Sequence, residues 1–83
     1  VMMASLAYFE KESEDRDGDG VVIRYSFGED PGAMTRLLTM NTRTRTARPD
    51  DGVLDHTFLK ASRRINAVYD ERARWPDRGM SAS

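Results

Sequence analysis

The sequence predicts an α+β fold of βββα order: a three-stranded antiparallel sheet followed by one long C-terminal helix packed on one face. Three observations carry this expectation. Residues 21–27 alternate apolar and polar side chains with a period of two, the signature of a half-buried strand. Leu54, Phe58, Ala61, Ile65 and Val68 recur at alternating steps of four and three, the signature of one helical face. Between residues 13 and 20 lies a run rich in aspartate and glycine that suits a hairpin loop.

The first strand is expected over residues 4–11. Leu6 and Tyr8 alternate there with Ala7 and Phe9, although Met2, Leu6 and Phe9 also fit one helical face, so residues 2–12 read as strand or helix. The strand is preferred because a helix there would leave only a two-stranded ribbon, which is marginal by itself. The second strand places Val21, Ile23, Tyr25 and Phe27 on one face and Val22, Arg24 and Ser26 on the other. Gly28-Glu29-Asp30-Pro31-Gly32 then breaks the chain, with Pro31 and Gly32 suited to the central positions of a type II turn. A third strand is expected from Arg36 to Ala47, where the threonines favour extended structure; Met34 to Met40 could instead form a short helix capped by Asp30.

The helix is expected from Leu54, with Asp50 and Asp51 preceding it as acceptors for its free amides. Tyr69 lies at the edge of its apolar stripe, Arg72 and Arg74 sit where positive charge is favoured, and Pro76 ends it, leaving Arg74 about the last helical position. Residues 1–76 thus read as a single domain, and 77–83 as a flexible tail.

Composition narrows the function more than any motif does. A chain of 83 residues supports one small core and no deep enclosed pocket. The absence of cysteine removes disulfides and thiolate metal sites as means of completing that core, and dimerisation is the simplest remaining device. The longest apolar stretch is interrupted and too short to span a bilayer, and the start of the chain lacks the basic region and cleavage site of a signal peptide; a cytoplasmic location is expected. The net charge of −1 is unevenly spread: residues 1–35 hold three basic and eight acidic residues, residues 36–74 nine basic and five acidic. The two halves are expected to pair with one another, internally or across a dimer, ahead of recruiting an anionic partner.

Four features bear on chemistry. Asp15-Arg16-Asp17-Gly18-Asp19-Gly20 copies the opening of a calcium-binding EF-hand loop, but its twelfth position is Ser26, which cannot chelate, and the exiting segment has the pattern of a strand. An acidic hairpin loop is expected there, with no metal and no cofactor. Arg43, Arg45 and Arg48 lie in the expected third strand, where alternate arginines would project from one sheet face; with Lys60, Arg63 and Arg64 of the helix they could form a basic surface for nucleic acid. His56, the single histidine, lies opposite the apolar stripe and has no nucleophile or metal partner in its pattern, so an enzyme is not expected. Leu59 falls about 140° from the stripe centre. Trp75 lies beyond the helix, and one helix covers only one sheet face, leaving Val22 and Leu37 on the other. These four residues form the expected interface, joined by the unplaced Met2, Met3, Met34 and Met80.

The expected function is therefore a small non-enzymatic interaction or regulatory protein acting as a homodimer. A sheet-based nucleic-acid binder with an arginine-bearing strand is the alternative.

Overall fold

A computed structural model of the chain describes residues 6–18 and 20–82. Met2, Met3 and Asp19 lie outside the described residues. The elements are β1 (Ala7–Asp17), β2 (Gly20–Gly28), β3 (Arg36–Asn41), β4 (Thr46–Pro49), α1 (His56–Arg72) and β5 (Arg78–Ser81). All strand pairs are antiparallel, in the order β4-β3-β2-β1-β5. The first four strands form a meander, and α1 then carries the chain from the β4 edge to the β5 edge.

The helix covers one face only. Ala7, Phe9, Ile23, Tyr25, Phe27, Leu38 and Met40 point toward it and are buried, and Phe58, Ala61, Ile65 and Val68 pack down on them. Phe9 meets Tyr25 edge-to-face at 5.8 Å, and Phe27 meets Phe58 at 6.1 Å. Fully burying each large side chain stabilises by roughly 1.5–3 kcal/mol. The Tyr25 hydroxyl donates to the carbonyl of Pro76 (2.8 Å), tying the chain just past the helix to the middle of the sheet. Burial pushes the Tyr25 phenol pKa up, with Asp77 and Glu14 adding to the shift, so the group stays a neutral donor.

The sheet has five strands, not the three expected, and the two additions have separate causes. The segment from Arg36 to Ala47 does not run as one strand. The Asn41 side chain accepts from the amides of Arg43 (3.0 Å) and Thr44 (3.1 Å), and Arg45 turns the backbone with φ of 62° and donates its amide to the Asn41 carbonyl (2.7 Å). This side-chain-capped turn folds β4 back on β3. The second addition is β5, formed by residues assigned from sequence to a flexible tail. Its side chains carry little strand propensity; what selects it is the free edge of β1, with Tyr8 opposite Met80 and Phe9 opposite Gly79. A Cβ on Gly79 would stand 2.7 Å from the Phe9 ring, so the missing side chain is what lets this strand close over the aromatic.

The helix is also shorter than expected. Its cap is Asp55, whose carboxylate accepts from the Phe58 amide (3.0 Å), while Asp50 and Asp51 are engaged elsewhere. Leu54 lies before the helix and is 67% exposed, so it is not part of the apolar stripe. The other end stops at Arg72, with Ala73 in the left-handed region and its amide bonded to the Tyr69 carbonyl (2.8 Å).

The β1–β2 hairpin turns within the expected run, but residues 13–17, expected in its loop, extend β1 and pair with β2 as far as Asp17 opposite Gly20. Gly18, with φ of 63°, supplies the backbone conformation the tight loop requires. A register shift between Lys11 and Ser13 makes Glu12 the residue of a β-bulge. At the next turn Pro31 and Gly32 do occupy the centre, closed by Ala33 N–H to the Asp30 carbonyl (2.9 Å). Gly32 lacks the positive φ of a type II turn, and its amide is held instead by the Asp30 carboxylate (2.8 Å).

Candidate functional site

Two surfaces stand out, and each is best understood by first removing the charges that serve the fold. Arg36, on the helix side of β3, lies over the Phe27 ring at 4.6 Å. It donates to Asp51 (2.9 Å), to both Asp55 oxygens (2.8 and 2.9 Å) and to the Val53 carbonyl (3.0 Å). Hydrogen bonds from Arg36, then from the backbone amides of Val53 and Phe58 respectively, hold Asp51 and Asp55 below the usual carboxylate range. One guanidinium thus braces the loop before the helix and its cap.

Arg45 does the same at the other end. Expected on a strand and free for a ligand, it instead lies in the β3–β4 turn. It donates to the Asn66 side chain (3.1 Å) and carbonyl (3.0 Å) and pairs with Asp70 (2.8 Å). Its guanidinium faces the rings of Tyr69 (5.0 Å) and Trp75 (5.9 Å), which stack on one another at 4.4 Å. Trp75, expected at an interface, therefore packs on its own chain, and so does Leu59, half-buried against the core. Arg43 is exposed in the same turn, beside Gly20.

The first surface is the sheet face away from the helix. Strand alternation places Tyr8, Glu10, Val22, Arg24, Ser26, Leu37, Thr39 and Arg48 there. Its centre is cross-linked: Asp50 pairs with Arg24 and accepts from Thr39 (3.2 Å), and Ser26 donates to the Glu12 carboxylate (2.7 Å). Val22 and Leu37, two of the expected interface residues, are half-buried here with no covering element among the described residues. Met80, opposite Tyr8, extends the apolar surface to the β5 edge and is 45% exposed. Beyond the bulge, Ser13 and Asp15 lie on this face, so Glu10, Glu12 and Asp15 form an acidic lane along β1. Arg48 lies across the sheet on β4, exposed and in no ion pair among the described residues.

The second surface is on α1. His56, Lys60, Arg63, Arg64 and Ala67 follow one another at helical spacing and, with Leu59 and Ser81, line an open depression of about 590 Å³ beside β5. The six basic residues expected to act together are therefore divided. Arg45 is consumed by the fold, Arg43 and Arg48 lie toward the β3–β4 edge, and Lys60, Arg63 and Arg64 line the helix depression near β5.

Of the calcium-loop-like run, expected as an acidic loop, residues 15–17 are instead the paired end of β1 and Gly20 begins β2; among the described residues no three His, Cys, Asp or Glu side chains group as a metal site would need. Among those residues no helix is long and apolar enough to cross a membrane. Sequence reasoning missed Arg36 and Asp55 as organisers of the loop before α1. The signal for Asp55 was present, since it stands three residues before Phe58 of the stripe, but Asp50 and Asp51 competed for the same role.

Compared with protein-family models, with curated proteins and with solved structures, the chain has no match.

Proposed function

We propose that this protein is a small cytoplasmic, non-enzymatic interaction module that acts as a homodimer, joined through the sheet face away from the helix. The observation that carries the reading is the arrangement of that face: among the described residues nothing covers Val22, Leu37, Tyr8 and Met80, which are flanked by acid on β1 and by Arg48 on β4. A two-fold interface is self-complementary, so that residue i meets j and j meets i. Two copies facing one another across such an axis bring the acidic lane of each over Arg48 of the other. The apolar residues between the lanes then lose the contact with water that the single copy leaves them. The uneven charge along the chain supports the same arrangement: of the ion pairs among the described residues, only Arg24–Asp50 and Lys11–Asp77 join the acidic first part of the chain to the rest.

The test is the solution mass by light scattering across micromolar to hundred-micromolar protein. A concentration-dependent dimer is expected. Leu37→Asp leaves a folded monomer, Arg48→Glu weakens the dimer, and combining Arg48→Glu with Asp15→Arg restores it. A wild-type monomer throughout, or a dimer indifferent to Leu37→Asp, rejects the reading.

A further inference from the structure

The helix surface points to a second activity that does not depend on the dimer: we propose that the stripe formed by Lys60, Arg63 and Arg64 binds the phosphodiester backbone of nucleic acid. The charged side chains lining the depression, Lys60, Arg63 and Arg64, are all basic. Arg63 and Arg64 enter no ion pair among the described residues, whereas Arg24, Arg36 and Arg45 are each held by aspartate. Arg43 and Arg48 at the far edge of the sheet are likewise in no ion pair among the described residues, but Arg63 and Arg64 share with Lys60 a depression that no aspartate or glutamate lines. Guanidinium pairs with phosphate oxygens through two parallel hydrogen bonds, a geometry lysine lacks.

The shape favours a polymer over a small phosphate compound. A small-ligand site buries most of its ligand in a concave pocket. Here Arg63 is exposed, Lys60 and Arg64 are half-buried, and the depression is open along the helix. From His56 to Arg64 the stripe covers about 12 Å of helix axis at ~1.5 Å per residue. A duplex of that length carries about seven phosphates, enough for every basic group to find a partner without enclosing any. Glu71, further along the same side, ends the stripe. The acidic β1–β2 hairpin keeps the affinity low, so binding belongs to the weak, salt-sensitive class.

The experiment is fluorescence anisotropy of a labelled random-sequence duplex and of the matching single strand, titrated with full-length protein at about 20 and about 200 mM salt. Two neutralised phosphates, at Arg63 and Arg64, predict a slope of log K against log salt near −1.8 on duplex, and about −1.4 on a single strand. The double variant Arg63→Ala/Arg64→Ala is expected to lose at least tenfold in affinity at low salt and to reduce the duplex slope by about 1.8, with its thermal midpoint near wild type. Arg43→Ala, in the turn at the far edge, is expected to bind as wild type. The proposal is overturned by absence of binding to both probes at low salt, by an unchanged salt slope in the double variant, or by an equal loss in Arg43→Ala. Tighter association with phosphatidylserine vesicles than with either oligonucleotide, abolished by Leu54→Ser, also overturns it.

Discussion

The two faces of this sheet are made from the same strands and share every backbone hydrogen bond, yet they hold their side chains by different means. On the helix side, Phe9, Ile23, Tyr25, Phe27, Leu38 and Met40 are sealed under α1 with almost no exposure. On the other side, Val22 and Leu37 alternate with polar residues cross-linked by Asp50 and Glu12. Stability is therefore concentrated on one side, and the other is free to change without unfolding the protein. In a chain of this size, that asymmetry is what leaves surface available for a partner.

Changes on the two sides should differ sharply, and the largest effect is expected at the centre of the sealed side. Ile65→Ala should cost about 2–5 kcal/mol in urea denaturation, because the cavity it leaves is walled by a sheet that cannot collapse. An effect below that range would mean that α1 is loosely seated. Gly79→Ala comes next: the added methyl meets the Phe9 ring, and overpacking of this kind costs about 1–3 kcal/mol. Proton exchange at β5 amides should speed up more than at β2 amides, and equal protection would contradict the role given to this close approach.

A smaller effect is expected where the sealed side meets the loop braced by Arg36. Asp51 and Asp55 are held below their ordinary range by that guanidinium, so their contribution is fully present above the unfolded carboxylate pKa. It is lost as pH falls through their lower folded values. The stability gap between wild type and Arg36→Met should thus be widest near neutrality and shrink below about pH 4. A gap that widens in acid would remove Arg36 as the cause. The smallest effect is predicted on the open side, where Val22→Thr should change the stability of the monomer by no more than about 0.5 kcal/mol. A larger loss would show that the open face is part of the core.

What could be read from the residues alone was whatever a local period or a single stereochemical rule decides. The alternation from Val21 to Phe27 defined β2 and its buried face, and the spacing of Phe58, Ala61, Ile65 and Val68 defined the helix and its apolar side. The Asp-Gly run marked the turn of the hairpin, whereas Pro76 overshot the end of the helix, which stops at Arg72. These signals are local because the backbone geometry itself imposes the period.

Tertiary structure decided the rest, through pairings between residues distant in sequence. The turn at Asn41, the choice of Asp55 over Asp50 and Asp51, and the capture of Arg45 by Asn66 and Asp70 each depend on a partner whose position the fold must first supply. Residues 78–81 became a strand because β1 offered a free edge and Gly79 could approach Phe9, neither of which is a property of those four residues. The candidate basic surface changed for the same reason. Charge is visible in a sequence, but whether an arginine faces a ligand or an aspartate is settled only when the chain folds and each group finds its nearest neighbour.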